Sequence, residues 1–267
     1  MNASIRYFGG KGNMISKIIK HFPDKSTFNT YIEPFSGSYS IGLKYCEDIP
    51  NEIYNDLNNN VYSLYKVLQD KELYPKFKEK CDLAIYSENL RTEYKEQLKN
   101  NNELSIVDRA FMFFYVNRTS HNGIGGFSVN TVVRRNMSKS VSDMLSAINR
   151  MDELHQRLSK LIVMNTDAFK LIERYKNNEN VLMYCDPPYH WNTRTSARYE
   201  TDMTNEQHEE FINLILDSKA KILVSGYDCE PYNKLIDNGW TKIQFEVNTT
   251  DGNKKPKTKI ETLWKNY

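Results

Sequence analysis

Short apolar runs of strand length alternate with longer amphipathic stretches along much of this chain, the rhythm of an α/β fold. "YIEPFSGSYSIGL" has an apolar entry, a proline, small residues at 36–38 and 40, and an apolar exit, which predicts a strand, a tight turn and a helix start. "EIYNDL" reads as a strand, followed by a helix in which Val61, Leu64, Tyr65 and Leu68 share a face. "LIVMNTDAF", "NVLMYCDPPY" and "KILVSGY" continue the pattern as strands. Thr204 and Gln207 predict a capping box opening a helix through Leu216, and a further helix is expected from about Tyr232 to Asn238. "KIQFEVNTT" and "KIETLWKNY" flank "DGNKKPKT", a closing hairpin with a basic tip.

The middle of the chain breaks this rhythm. Residues 70–104 are charged and helical in flavour, without a strand signal. From 143 to 161, Met144, Leu145, Ile148, Met151, Leu154, Leu158 and Leu161 form the stripe of one amphipathic helix, expected to be core. The division that follows is an α/β core from 1–68 and 160–267, interrupted by a mainly helical insert over 69–159. No internal repeat or low-complexity tract is present.

Composition narrows the class. The 267 residues are 26% charged and 39% hydrophobic, with no apolar run approaching the span of a membrane helix. "MNASIRYFGGKGN" lacks the apolar centre of a secretory signal, so a cytosolic location is expected. Cys46, Cys81, Cys185 and Cys229 form no C-x-x-C pair, which points to buried thiols and neither zinc nor disulfides; no metal is expected. The net charge of +2 is too small to imply a polyanionic partner, but its distribution is uneven. From Arg109 through Ser142 there is no Asp or Glu, while Arg109, Arg118, Arg134, Arg135 and Lys139 are interleaved with Phe111, Phe113, Phe114, Tyr115, His121 and Phe127. Cations for phosphates and rings for bases suit a nucleic-acid surface. A core strand or helix followed by a solvated loop gives the same composition.

Candidate chemistry centres on "MYCDPPYHW". Two prolines after an apolar strand stop the ladder and force extended backbone, so Asp186 is delivered to the strand's carboxyl end, where open α/β sheets meet ligands. Upstream, the 34–37 turn offers backbone N–H groups at a helix start, although "GGKGN" lacks the spacing of a phosphate-binding loop. Asp56 ends its strand about 20 residues past the turn, where an acid takes ribose hydroxyls in nucleotide-binding folds. Capping the next helix is the other role open to it.

These elements together resemble the Dam-type (alpha-group) adenine-specific DNA methyltransferases, over nearly the whole chain from Tyr7 to Trp264. Asp186-Pro187-Pro188-Tyr189 is the most specific element, supported in order by "YFGGKG", "EPFSGS", Asp56, "NRTSHNG", "NTDAF" and "ETLW". The resemblance implies a Rossmann-like S-adenosylmethionine-dependent sheet with an inserted, mainly helical target-recognition domain. It implies that Tyr7, Lys11 and the turn of Pro34, Phe35, Ser36 and Gly37 hold the methionine part of S-adenosylmethionine. Asp56 would bind the ribose, Asp167 the adenine amino group with Phe169 nearby, and Asp186 through Tyr189 a flipped target adenine in double-stranded DNA. The conjugated amino group is a poor nucleophile that has to be held: Asp186 and the Pro187 carbonyl would accept its two N–H bonds while Tyr189 stacks on the ring. Neither a metal nor a covalent intermediate is required.

The chain departs from its relatives at Ser38, in the cofactor turn, and at His121 and Gly126, where an aromatic wedge and a base-reading arginine can occur, so the target sequence does not transfer. Asn117, Arg118, His121 and Asn122 are expected to approach DNA, with Arg134 and Arg135 nearby. Methylation of a cytosine amino group or of RNA, and a DNA binder that has lost catalysis, are the competing readings. In "HWNTRTSARYETDM", Arg194 and Arg198 are expected at phosphates; a solvated loop is the alternative. Replacing both with Ala should flatten the dependence of log K on log salt by about 1–2 in a DNA titration, and an unchanged slope would remove them from the phosphate contacts.

Overall fold

The computed structural model describes residues 14–123, 125–189, 203–250 and 256–267. Tyr7, Lys11, Arg194 and Arg198 lie outside them. In chain order the elements are α1 (Ile15–Ile19), β1 (Thr30–Glu33), α2 (Ser40–Tyr45), β2 (Asn51–Asn55), α3 (Asn59–Gln69), α4 (Leu73–Asp82), α5 (Glu88–Asn100) and α6 (Ile106–Thr119). A small hairpin of β3 (Val133–Arg134) and β4 (Met137–Ser138) precedes α7 (Lys139–Ile148) and α8 (Met151–Leu158). The chain continues through β5 (Ile162–Met164), α9 (Ala168–Tyr175), β6 (Val181–Cys185), α10 (Asn205–Leu216), β7 (Lys221–Gly226), α11 (Asn233–Asp237), β8 (Thr241–Thr250) and β9 (Pro256–Lys265).

Seven strands form one sheet in the order β5-β2-β1-β6-β7-β9-β8. β1 pairs parallel with β2 on one side and with β6 on the other, and β6 pairs parallel with β7. β9 runs antiparallel to both β7 and β8, as expected for a closing hairpin. The mixed α/β architecture is the one the strand and helix pattern predicts, and it is consistent with the Rossmann-like sheet that the family resemblance implies. All five residues of β6 are buried, as a central parallel strand covered on both faces requires. Ile32, Ile53, Met183, Val224 and Trp264 share a core with Leu171 and Ile172 of α9 and Phe211, Ile212 and Ile215 of α10. The capping box is present: Gln207 N–H donates to Thr204 Oγ1 at 3.3 Å, and Thr204 N–H to Gln207 Oε1 at 2.8 Å.

The chain divides into two compact units. One holds most of the sheet, β9, and α9 to α11. The other takes in 37–47 and 58–163, so α2 and α3 fall with α4 to α8. There α6 packs against α3, α4, α5 and α7, burying Ala110, Phe114 and Tyr115. Tyr39 adopts φ 53° with its ring buried, and a Cβ at residue 42 would lie 2.2 Å from that ring; glycine is required there. The helix expected over 143–161 is two helices, α7 and α8, separated at Asn149–Arg150. Buried Met144, Ile148, Met151, Leu154 and Leu158 recur at intervals of three and four across the break, so periodicity alone could not reveal it.

One residue ties the strand ends together. Asn55, fully buried at the end of β2, donates through Nδ2 to the carbonyls of Pro34 (2.9 Å) and Thr166 (3.0 Å), and its Oδ1 accepts the Thr166 N–H at 2.9 Å. Its backbone N–H donates to Ser36 Oγ at 3.0 Å, and its carbonyl accepts the Ser36 N–H at 2.9 Å. Asn55→Ala would leave buried groups of two loops unsatisfied, at a cost of about 2 kcal/mol. The thermal midpoint should fall by about 4–8 °C, and a wild-type melting curve would refute this role for the carboxamide.

Candidate active site

β1 and β6 are neighbours whose connections leave in opposite directions across the sheet, β2 lying on one side and β7 on the other. Such a switch point opens a crevice at the carboxyl ends of the strands. Ile32 pairs with Met183, so the turn after Glu33 and the loop beginning at Asp186 leave adjacent strands in register.

On the β1 side, Glu33 is 2% exposed and accepts a hydrogen bond from Tyr31 Oη at 2.7 Å. Its carbonyl accepts Ser36 Oγ at 2.7 Å, which closes the turn. Pro34 and Ser36 are buried, and Gly37 follows with φ 50°. Phe35 and Phe169 both pack on Phe211, at ring-centroid distances of 5.9 and 6.1 Å. Asp56 is buried just beyond β2; its N–H donates to Met164 O at 3.4 Å, and its carbonyl accepts Asn165 Nδ2 at 2.7 Å. The cap of α3 is Asn58, whose side chain accepts from Asn60 and Val61 N–H, so Asp56 is not needed for that task. Asp167 is exposed and caps α9, accepting from Phe169 N–H (2.9 Å) and Lys170 N–H (3.1 Å) through one carboxylate oxygen.

On the β6 side, Asp186 is half-buried, Pro187 buried, and Pro188 and Tyr189 half-buried. Ser225 Oγ donates to Asp186 Oδ1 at 2.9 Å, and Tyr184 Oη lies 2.8 Å from Ser225 Oγ. Because the single Ser225 proton goes to Asp186, Tyr184 is the donor in that second bond. Burial, with Asp186 adding to it, pushes the Tyr184 phenol well above its usual range and keeps it protonated. Burial likewise raises the Cys185 thiol, so this cysteine is a packed side chain and not a nucleophile. Tyr189 Oη donates to Glu261, a 2% exposed residue of β9, and its ring meets Tyr227 edge-on at 4.8 Å.

In the helical unit, Asn117 and Arg118 are buried in the last turn of α6. Asn117 Nδ2 donates to Gly123 O at 3.3 Å, and Arg118 Nη2 to Asp143 O at 2.8 Å. His121 and Asn122, just beyond, are exposed. Arg134 and Arg135 are exposed on the β3–β4 hairpin, where Arg135 and Asn136 take φ 53° and 56°, as a two-residue hairpin turn requires. Arg134 pairs with Asp143 at 3.0 Å, and Arg135 donates to Ser146 Oγ at 3.0 Å. Arg91 is a residue that sequence reasoning passed over: buried, it holds the 120–126 loop through Ser120 Oγ (3.0 Å) and Gly125 O (2.5 Å). Ser225 and Glu261 were missed as well, since neither "KILVSGY" nor "ETLW" signals a partner in a distant loop. Among the described residues, no group of three or more His, Cys, Asp or Glu could hold a metal ion, and no helix is long and apolar enough to cross a membrane.

Comparison with known proteins bears on this arrangement. Type II methyltransferase M.MjaIII of Methanocaldococcus jannaschii is 23% identical over 98% of both chains. Type II methyltransferase M.FokI of Planomicrobium okeanokoites is 22% identical over 71% of this chain and 29% of its own length. A Clostridium tetani protein named biotin synthase is 25% identical over 72% of this chain and 55% of its own; its name denotes another activity, and at that identity it decides nothing. The family described as D12 class N6 adenine-specific DNA methyltransferase matches residues 7–250. A match that starts before β1 and runs to the last residue of β8 takes in both compact units, and the chain belongs to the D12 class N6 adenine-specific DNA methyltransferases.

Proposed function

We propose that the protein transfers the methyl group of S-adenosylmethionine to N6 of an adenine flipped out of double-stranded DNA, within one short recognition sequence. The observation that carries this reading is the exit of the Pro34–Gly37 turn and the Asp186–Tyr189 loop from adjacent parallel strands. Strand ends about 4.8 Å apart would hold a cofactor and an acceptor side by side.

The residues fit the cofactor by their hydrogen-bonding chemistry. The Asp56 carboxylate suits ribose hydroxyls, Asp167 suits an adenine amino group beside the Phe169 ring, and the buried polar turn from Pro34 to Gly37 suits the amino-acid part, together with Tyr7 and Lys11 from the family resemblance. When bound, S-adenosylmethionine supplies an electrophilic methyl group. Asp186 and the Pro187 carbonyl accept the two N–H bonds of the adenine amino group, which leaves its lone pair exposed. Tyr189 stacks on the base. Flipping is needed because the amino group of a stacked, paired adenine cannot reach a recessed site. Rate then comes from orientation and preorganised electrostatics.

DNA is met by the insert, for which 69–159 is the functional division. Exposed His121 and Asn122 approach bases, and Arg134 and Arg135 approach phosphates, while buried Asn117 holds the loop after α6 through Gly123 O and buried Arg118 holds α7 through Asp143 O. A DNA-modifying enzyme of this kind works in the cytoplasm of a bacterial or phage-infected cell, and a monomer suffices for the chemistry.

Long-read sequencing of DNA from a methylation-deficient host expressing the chain should show modified adenines in one short motif, absent with Asp186→Ala. Unmodified DNA in the presence of folded protein would move RNA substrates or a silent DNA binder to the front. Ser225→Ala removes the hydroxyl that orients Asp186 and should lower the single-turnover methylation rate about tenfold, with the KM for DNA little changed. An unaltered single-turnover rate would mean that Asp186 is held without it.

A further inference from the structure

Glu261 is a buried acid that the reading above leaves without a task. It lies on β9, with β8 on one side through Phe245↔Glu261 and β7 on the other through the adjoining pair Gly226↔Thr262, so its backbone is fixed by both neighbours. A carboxylate 2% exposed is costly to bury unless it is hydrogen-bonded, and here it accepts the Tyr189 hydroxyl. The ring between that hydroxyl and the Tyr189 backbone is also confined from the side. Tyr227 meets it at 4.8 Å and an interplanar angle of 76°, and Lys259 Nζ lies 5.0 Å from the Tyr227 ring centroid.

We propose that Glu261 is a positioning residue for the reaction: by holding the Tyr189 hydroxyl, it fixes the plane of the ring before a base arrives. The proposal rests on the reading of Tyr189 as the stacking surface for the target adenine. A tyrosine at the start of a loop would otherwise sample several ring orientations, and ordering it would be charged against DNA binding. With the ring tip anchored on a strand and its edge against Tyr227, that ordering is complete in the free enzyme. The effect falls on capture of the base more than on the transfer step.

The test uses the full-length protein and a duplex carrying the motif found by sequencing, with 2-aminopurine at the target adenine to report unstacking and an adenine duplex for kinetics. Glu261→Ala and Tyr189→Phe should each raise the KM for DNA roughly three- to tenfold and dim the 2-aminopurine signal, with kcat changed less. The double variant should be no worse than the worse single one, because both remove the same bond. Glu261→Gln, whose carbonyl oxygen still accepts, should recover most of the loss. Additive losses in the double variant, a Gln variant as impaired as the Ala one, or tighter capture of the base by Glu261→Ala would each overturn the proposal. Should Glu261→Ala not fold, Tyr189→Phe decides alone: wild-type KM and fluorescence would mean that the hydroxyl anchors nothing. Failure of the wild-type enzyme to brighten 2-aminopurine while still methylating the adenine duplex would instead sink the stacked-base reading, whatever the Glu261 variants do.

Discussion

Parallel strands end in backbone groups that the sheet itself no longer pairs, and at the end of β2, between β5 and β1, one carboxamide meets that demand for two loops at once. Asn55 offers two N–H donors and one oxygen, and spends them on Pro34 O, Thr166 O and Thr166 N. No other side chain of this size does the same: aspartate has no donors when ionised, serine is too short, and leucine would orphan all three groups. The loops after β1 and β5 are therefore held by a residue at the end of β2, independently of any ligand. Those are the loops from which Ser36 and Asp167 project. A site built on strand ends clamped in this way is ordered before binding, which lowers the entropy that binding must overcome.

The same logic recurs on the other side of the switch point, where the holding residues come from β7 and β9. Ser225 of β7 fixes one oxygen of Asp186, and Glu261 of β9 takes the hydroxyl of Tyr189. The closing hairpin thus has a role beyond sheet extension. β9 pairs with β7 from Leu223↔Lys265 to Gly226↔Thr262, which carries Glu261 to the level of the Asp186 loop. A hairpin with a different register would deliver another side chain there, since a slip of one residue reverses every face.

What could be read from the sequence was whatever depends on near neighbours. The prolines after Asp186, the Thr204 and Gln207 box, and the apolar run of β6 act within a few residues of one another, so their meaning survives without coordinates. Asn55 and Thr166 are 111 residues apart, Tyr189 and Glu261 are 72 apart, and Asp186 and Ser225 are 39 apart; nothing local announces those pairs. Charge is equally mute about direction. Arg118 counted toward a basic surface in the acid-free stretch, yet it is buried and donates to Asp143 O, whereas Arg134 and Arg135, alike in composition, are exposed. A helix break at Asn149–Arg150 that keeps the apolar interval is invisible for the same reason.

Glu33, Asp186 and Glu261 share a further feature: a hydroxyl group serves as donor to each. Tyr31 donates to Glu33, Ser225 to Asp186 and Tyr189 to Glu261. A hydroxyl orients a carboxylate without bringing a second charge. The acid in turn makes the phenol harder to ionise. Tyr184, behind Ser225, shows this directly, since burial first and Asp186 second push it upward. A phenol kept protonated remains a donor, so the hydroxyls from Tyr184 through Ser225 to Asp186 keep one direction, and Asp186 is oriented from behind before any substrate arrives.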